Sequence, residues 1–323
     1  MKLSIVTTLY KSAGTINEFY RRAVAAAEPL GCDIELIMVN DGSPDATLDL
    51  ALALQRSDPR VIVVDLSRNF GHHKALMTGL SYARGDLVFL IDSDLQEDPE
   101  LLPAFNERLA AGDCDVVYGY QEKRSGGVFE RVTGGLYYSL LKLLSDNPIP
   151  RNILTARLMT KRYVRALLRF RDREFLISQL WKLSGFDQIG VPAIKRPATT
   201  RTYTLRLRAE YFIRHLTTSS TRLLYVIFYF GLIMLVLAAA VICWFLLRYA
   251  FAGVGVSGFT SLIVSIWFFG GLMVLILGVQ GIYIANILSE SKRRPYAVVR
   301  KVYRDGGVAT PSPDAIVSPL PGA

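Results

Sequence analysis

The stretch that decides the fold is GDLVFLIDSDLQEDPE, residues 85–100. Residues 87–91 within it are apolar without interruption. A strand that is apolar on both sides belongs to a parallel sheet covered on both faces, whereas a half-exposed strand alternates between apolar and polar residues. Two carboxylates, Asp92 and Asp94, follow directly. The stretch therefore predicts a buried parallel strand with charged side chains at its carboxyl end.

The same succession of a short apolar run and a helical pattern repeats through the first 121 residues. Such a βαβ series predicts an open, doubly wound α/β fold with a mostly parallel sheet. The predicted strands are 3–9, 34–39, 61–64, 87–91 and 116–118, and the predicted helices are 17–27, 45–55, 72–83 and 100–110. Ligands of such sheets bind at the carboxyl ends of the strands, so the candidate site lies there.

Charge is divided unevenly along this chain, whose net charge is +9. Residues 1–121 hold 10 Lys and Arg against 18 Asp and Glu, whereas residues 122–222 hold 20 against 7. A basic segment suits nucleic acid, but here it leads into apolar sequence. An anionic lipid or lipid-linked substrate is therefore the simpler partner. We predict a membrane partner and no nucleic acid.

Two long uncharged stretches follow the basic segment. Residues 223–247 contain no charged side chain, and neither do residues 249–289, whose apolar part is 262–287. Each stretch exceeds the roughly 20 residues that cross a bilayer, a length that is unusual for a soluble core helix. Basic residues flank the outer ends, so the positive-inside rule places both termini in the cytoplasm. This predicts a multi-pass protein of the inner (cytoplasmic) membrane.

These patterns divide the chain into four predicted segments. Residues 1–200 form a cytoplasmic catalytic domain, and residues 201–222 form an amphipathic helix region beside the membrane. Residues 223–289 contain the two spans, 223–247 and 262–287. Residues 290–323 form a basic cytoplasmic segment whose tail, from Gly306 onward, is rich in proline, poor in apolar residues and predicted to be disordered.

The paired carboxylates are the strongest candidate for chemistry. Asp92 and Asp94 lie two residues apart and can converge on one hard cation, Mg²⁺ or Mn²⁺, together with phosphate oxygens. An Asp-x-Asp also occurs by chance in solvated loops, but a position after a buried strand favours the metal site. Neither GxGxxG after the first strand nor GxxxxGK[ST] occurs, which argues against dinucleotide-dependent oxidoreductases and P-loop ATPases.

Polar and aromatic residues also follow the neighbouring predicted strands. Tyr10, after the first strand, is either a ring that stacks on a base or a packed aromatic residue. Asp41, in the NDGS turn, is either an acceptor for a base or ribose or part of an ordinary strand-to-helix turn. His72 and His73 suggest zinc, but no Cys or third His is placed to complete that site. We interpret them as loop or helix-start residues.

The order of these motifs resembles family-2 glycosyltransferases of the GT-A fold, the nucleotide-diphospho-sugar transferase type. The resemblance is to the polyprenyl-phosphate sugar transferases, similar to dolichol-phosphate mannose synthase and the bactoprenol glucosyltransferases. It covers about residues 2–303. The matching pieces are SIVTTLY, NDGS, SRNFGHHKALMTGL, GDLVFLIDSDLQEDPE, GYQEKR, LLSDNPIPRN, RLM, GFDQIGVP, RTYT and YIANILSESKRRPYAVVR.

The resemblance implies an inverting, metal-dependent hexosyltransferase. The donor would be a nucleotide-sugar, a UDP-hexose, and the acceptor would be polyprenyl (undecaprenyl) phosphate. The product would serve a cell-envelope polysaccharide or another glycan modification. Asp92 and Asp94 would be catalytic, and together with Gln96 they would hold Mg²⁺ or Mn²⁺.

The resemblance also implies two sets of binding residues. Nucleotide-sugar binding would fall to Tyr10, Asp41 and Asp92. The acceptor phosphate would be bound by Arg124 and Arg131, since guanidinium groups pair well with phosphate oxygens. A homo-oligomer is left open.

Two alternatives stay open, the first because of a departure from the family pattern and the second because another class of enzyme shares the Asp-x-Asp site. Thr155 stands where the family has an acidic residue near the sugar or acceptor. One alternative is a catalytically inactive, membrane-anchored scaffold homologue. The other is a processive polysaccharide synthase, although the Gln-x-x-Arg-Trp motif of those enzymes is not matched by the sequence around Gln179.

Overall fold

The protein divides into two compact units. The computed structural model describes residues 1–121, 152–196, 222–252, 258–292, 294–304 and 307–309. The first unit comprises Met1–Gly134, Ile149–Tyr203 and Arg293–Ala323, and the second comprises Gly135–Pro148 and Thr204–Lys292. The described part of the first unit contains a β-sheet with helices, and that of the second contains two long helices.

The sheet of the first unit is mixed, with a parallel centre. Its strands are β1 (Lys2–Leu9), β2 (Asp33–Asn40), β3 (Val61–Leu66), β4 (Leu87–Leu90), β5 (Val116–Tyr120), β6 (Ile153–Thr160), β7 (Gln188–Pro192), β8 (Val299–Arg304) and β9 (Gly307–Ala309). They lie in the order β7-β5-β6-β4-β1-β2-β3-β8-β9. The neighbours β4, β1, β2 and β3 are parallel, whereas β6 and β8 run antiparallel to the strands beside them.

Six α-helices accompany the described strands of this unit. They are α1 (Ile16–Ala27), α2 (Thr47–Ser57), α3 (His72–Tyr82), α4 (Leu101–Ala110), α5 (Lys161–Leu167) and α6 (Ile177–Leu183). Phe19 of α1 and Phe105 of α4 pack in one core with Phe89 of β4. Leu76 of α3 and Trp181 of α6 belong to a second core. The two cores lie on the two faces of the sheet, because successive strand residues point to opposite faces.

Burial on both faces of the sheet accounts for the apolar runs within the central strands. In β4, Val88 and Leu90 belong to one core, whereas Phe89 and the following Ile91 belong to the other. All four residues are almost completely buried. Both faces of the sheet are therefore covered, and the predicted doubly wound α/β fold is confirmed.

The elements predicted from the first 121 residues are confirmed with small shifts at their ends. The sequence patterns did not predict β6, β7, β8 or β9. The sequence also predicts a helix over residues 162–170, and the structure has α5 there, which begins at Lys161 and ends at Leu167. These later strands add to the edges of the parallel centre, and their pairing partners lie far away in the sequence.

The C-terminal segment differs from its prediction. Residues 290–323 were expected to lie outside the catalytic domain, but Val299–Arg304 pairs antiparallel with β3 and Gly307–Ala309 pairs with β8. The expectation of disorder from Gly306 onward is therefore wrong for residues 307–309. Val299 and Val302 are buried in the core, whereas Arg300 and Lys301 are exposed. So few apolar residues produce only a weak signal in a segment this rich in charge.

The second unit contains α7 (Arg222–Ala252) and α8 (Phe259–Ser291). Within α8, Phe268–Ser291 has a mean hydropathy of 2.0, and none of it is buried inside the structure. Among the described residues this is the one helix long and apolar enough, by length and composition, to cross a membrane. The apolar stretch found in α7 is shorter, Leu224–Met234. The predicted span 262–287 falls within α8, and the span 223–247 stays a prediction.

Candidate active site

The carboxyl ends of three neighbouring parallel strands, β4, β1 and β2, meet at one edge of the sheet. Tyr10 follows β1, Asp41 follows β2 and Asp92 lies just beyond β4. From β1 the chain continues to β2 on one side, and from β3 it returns to β4 on the other side of β1. The carboxyl end of β1 is therefore the kind of switch point at which open α/β sheets bind ligands.

The turn that carries the two carboxylates is held from several sides. The Ser93 hydroxyl donates to the carbonyl of Thr8 at 2.8 Å. Gln96 donates its backbone N–H and its side-chain amide to the two oxygens of Asp94, at 3.0 and 2.7 Å. Leu95 has a φ of 58°, a left-handed conformation that costs a non-glycine residue about 1–2 kcal/mol. Such strained backbone clusters at functional sites.

Asp92 presents a buried carboxylate oxygen that lacks a hydrogen bond. Within the part of the chain that the structure describes, its Oδ1 has no hydrogen-bond partner, although Nε2 of His72 lies 3.5 Å away. Leaving a buried oxygen without a partner is costly. A divalent cation would satisfy it, since carboxylates suit Mg²⁺ and Mn²⁺.

The residues present therefore fit a cation, but they do not enclose it. No group of three His, Cys, Asp or Glu side chains converges at metal-ligand distance among the described residues. Mg²⁺ sites of enzymes that act on phosphates commonly use one or two carboxylates and take further ligands from water and the substrate. The pair at Asp92 and Asp94 matches that pattern.

The electrostatics of the turn agree with this fit. Asp94 is exposed as a residue. Its pKa is nevertheless raised, first because protein displaces water from the carboxyl group and also because Asp92 is negatively charged. The hydrogen bond from the Gln96 backbone and the positive charge of Lys195 act in the opposite direction. A cation beside the two carboxylates would relieve their mutual repulsion.

His72 is a site residue that the sequence interpretation missed. It begins α3, as interpreted, but its side chain also reaches into the site. Its Nδ1 lies 3.1 Å from the hydroxyl oxygen of Thr8, and its Nε2 faces Asp92. The histidine pair was a visible signal, but the sequence did not show that the carboxylate after β4 would be its neighbour.

Asp41 holds a loop in the structure. Its two carboxylate oxygens accept hydrogen bonds from the backbone N–H groups of Phe70 and Gly71, at 2.7 and 3.0 Å. Burial raises the pKa of Asp41, and these two hydrogen bonds oppose the increase. Gly42 has a φ of 61°, and a Cβ there would lie 2.5 Å from the backbone of Arg68. The turn and the loop are thus closely packed, and the nucleotide contact of Asp41 stays a prediction.

Tyr10 lies at the open side of the same edge. Its side chain is 46% exposed, and the Lys11 ammonium lies 5.6 Å from its ring centroid. Lys11 has a φ of 56°, a second strained position at this site. An exposed ring beside a cation suits a stacked base that carries phosphates. The stacking itself stays a prediction.

Glu97 connects the turn after β4 to β6. It is completely buried and accepts hydrogen bonds from the backbone N–H groups of Thr155 and Ala156, at 3.1 and 2.7 Å. Lys195 Nζ lies 3.4 Å from the same carboxylate. Burial, followed by the charge of Asp92, raises the pKa of Glu97. An acidic side chain is therefore present beside Thr155, supplied by the neighbouring turn.

Arg124 and Arg131, the predicted ligands of the acceptor phosphate, lie outside the described residues. The structure brings together the other predicted site residues around one sheet edge: Tyr10, Asp41, Asp92, Asp94 and Gln96.

The model of the glycosyl transferase family 2 domain matches residues 4–168, which include most of β1, all of β2 to β6 and every one of these positions. The chain belongs to glycosyl transferase family 2. As a family-2 glycosyltransferase it is a transferase, and its fold is of the GT-A type.

Several relatives are similar along nearly their whole length. A protein of Mycobacterium tuberculosis (strain CDC 1551 / Oshkosh) with a glycosyltransferase name is 43% identical over 323 residues, 100% of this chain and 94% of its own. A prophage bactoprenol glucosyl transferase homologue of Escherichia coli K12 is 30% identical over 304 residues, 94% of this chain and 99% of its own.

Among solved structures, the likeness is more remote. Glucosyl-3-phosphoglycerate synthase from Mycobacterium tuberculosis, solved with Mn²⁺ and UDP-glucose, is 20% identical, with a TM-score of 0.44. The match covers 67% of this chain and 77% of that one. A likeness of this size says nothing about the ligands of the present glycosyltransferase.

Proposed function

We propose that the protein transfers a hexose from a nucleotide-sugar, a UDP-sugar, to polyprenyl phosphate. The observation that carries the proposal is the carboxylate pair beyond β4, with the buried, unbonded Oδ1 of Asp92. Relatives named bactoprenol glucosyl transferase at about 30% identity support the lipid acceptor. An apolar helix in the same chain supports it as well.

The donor would bind at the edge formed by β4, β1 and β2. Asp92 and Asp94 would hold Mg²⁺ or Mn²⁺, which would stabilise the negative charge on the departing nucleoside diphosphate. The Gln96 amide nitrogen donates to Asp94, so its amide oxygen is the atom left to act as a ligand. Tyr10 would stack on the base, and Asp41 would keep the adjoining loop in place.

The reaction needs little general base catalysis. A polyprenyl phosphate is already anionic at neutral pH, so one of its oxygens attacks the anomeric carbon directly. The bond from that carbon to the diphosphate oxygen breaks, and its electron pair leaves with the nucleoside diphosphate. Attack opposite the leaving group inverts the anomeric configuration, and positioning of the two substrates supplies much of the rate.

The proposal is tested by product analysis. Purified protein is incubated with undecaprenyl phosphate, Mg²⁺ or Mn²⁺, and each of a panel of UDP- and GDP-sugars, and the lipids are identified by mass spectrometry. We expect a hexosyl-phospho-undecaprenol from one UDP-hexose. A long polysaccharide would instead support a processive synthase, and absence of transfer from every donor would support an inactive scaffold.

We also propose that Arg124 and Arg131 bind the acceptor phosphate. Changing either residue to Ala is expected to raise the apparent KM for polyprenyl phosphate and to lower kcat/KM about ten- to hundredfold, because a charged hydrogen bond is lost. The control is Arg56→Ala, a change of the same kind at an exposed position of α2. UDP binding, measured by calorimetry, should be unchanged. Equal weakening of UDP binding would assign these arginines to the donor.

For the membrane, we propose two spans, 223–247 and 262–287, with both termini and the catalytic domain on the cytoplasmic side. In a cysteine-free background, Gly255→Cys should react with a membrane-impermeant maleimide in intact cells. Asp113→Cys, at an exposed position of the catalytic unit, should react only after permeabilisation. Labelling at both positions only after permeabilisation would exclude the external loop.

A further inference from the structure

The starting observation is the pairing of His72 with Asp92. Nε2 of His72 lies 3.5 Å from Oδ1 of Asp92, which is too long for a normal hydrogen bond. The same oxygen is buried and makes no other hydrogen bond among the described residues. The two atoms therefore face each other at a distance beyond that of a normal hydrogen bond.

A shared cation would explain the distance between Nε2 of His72 and Oδ1 of Asp92. Two ligands about 2.1 Å from one cation, at adjacent octahedral positions, lie about 3 Å apart. They lie somewhat farther apart when the angle between them opens. The 3.5 Å between the ring nitrogen and the carboxylate oxygen is beyond hydrogen-bonding range, and it fits two ligands of one cation when the angle between them opens to roughly 110°.

The surroundings of His72 fix its ring in the required direction. Thr8 Oγ1 lies 3.1 Å from Nδ1, so an Nδ1–H donated to this hydroxyl leaves the Nε2 lone pair facing Asp92. Metal-binding histidines are usually oriented by a hydrogen bond of this kind from the other ring nitrogen. Asp41 holds the backbone of Phe70 and Gly71, immediately before His72. The loop before His72 thus places the imidazole ring beside Asp92.

We propose that His72 is a ligand of the divalent cation, together with Asp92. The inference rests on the proposed metal site at Asp92 and Asp94 and goes beyond it by adding a nitrogen ligand from the start of α3. Asp94, held by Gln96, does not converge with His72 and Asp92 on one point among the described residues, so oxygens of the donor or water complete the coordination. In this arrangement the loop anchored by Asp41 and the turn after β4 are joined through one ion.

The nitrogen ligand has a consequence for the identity of the metal. Mg²⁺ is a hard cation that favours oxygen ligands, whereas imidazole suits transition metals. His72 therefore favours Mn²⁺ over Mg²⁺. Replacing it with Gln, which offers an amide oxygen, reduces that preference.

The test is pulsed electron paramagnetic resonance of the full-length protein with Mn²⁺ and UDP, in which a directly bound imidazole gives ¹⁴N modulation. The chain has three histidines, so the signal can be assigned with few variants. We expect modulation in the wild type and in His73→Gln, and its loss in His72→Gln. We also expect His72→Gln to weaken Mn²⁺ binding by at least the roughly ten- to hundredfold that loss of an outer-shell partner costs, with a much smaller change for Mg²⁺.

The outcomes separate this inference from the proposed metal site. Undiminished ¹⁴N modulation in His72→Gln, with Mn²⁺ still bound, overturns the role of His72 and leaves the carboxylate site standing. Absence of Mn²⁺ binding by the wild type overturns both. The His72 side chain is 44% exposed, and a matching circular dichroism spectrum and unfolding temperature would show that the variant folds.

Discussion

Replacing Asp94 with Asn is expected to lower kcat about a hundred- to thousandfold, the usual effect of removing one group that stabilises transition-state charge. The change removes a negative ligand from the proposed metal site. It also places an amide N–H₂ beside the donors of Gln96, which approach both oxygens of Asp94. The measurement is the initial rate of hexosyl-phospho-undecaprenol formation at saturating substrates.

Asp113→Asn is the matched control for this variant. Asp113 is 71% exposed and precedes β5. It therefore lies at the amino ends of the parallel strands, whereas the site lies at their carboxyl ends. Its activity should equal that of the wild type. Excess EDTA should reproduce the defect of Asp94→Asn in the wild type, and added Mn²⁺ should reverse it. Full wild-type activity in excess EDTA would contradict the metal assignment.

Replacing Glu97 with Ala is expected to destabilise the catalytic unit by about 3–5 kcal/mol, the usual cost of removing one partner from a buried charged network. The change leaves the N–H groups of Thr155 and Ala156 without an acceptor and Lys195 without its carboxylate. At about 2–4 °C per kcal/mol, the apparent Tm should fall by about 10 °C. The measurement is thermal unfolding of the purified protein in detergent.

Glu97→Gln separates the charge from the shape. Glutamine keeps the size and one acceptor oxygen, so its Tm should lie between those of the wild type and Glu97→Ala. Glu107→Ala, at an exposed position of α4, makes the same truncation without burial. An equal Tm for Glu97→Ala and Glu107→Ala would show that the link between the turn and β6 does not stabilise the fold.

The parallel centre of the sheet was predictable because each of its strands carries its own signal. Burial on both faces favours apolar runs: β2, β3 and β4 each contain four consecutive apolar residues, and β1 combines apolar residues with the small polar residues Ser4, Thr7 and Thr8. The edge strands lack this signal. In β8, only Val299 and Val302 are buried, and the strand pairs with β3 across more than two hundred residues of sequence. Nothing local in the sequence specifies that partner.

The candidate site shows the same division. Asp92, Asp94 and Asp41 were predicted because a residue that follows a parallel strand lies at the ligand-binding edge of the sheet. The roles of His72 and Glu97 depend on side chains brought together from distant segments. His72 meets Thr8, which is 64 positions away, and Glu97 meets Ala156, which is 59 positions away.

The sequence by itself thus determined the fold class, the family and the edge of the sheet where the candidate site lies. The fold class and the edge follow from the spacing of apolar residues along each strand and helix. The family follows from the order of the short motifs. Only the tertiary structure decided that Asp41 anchors the loop before His72 and that Glu97 secures the turn to β6. Such contacts depend on closing the chain over long distances, and the local period of the sequence carries no information about which side chains then meet.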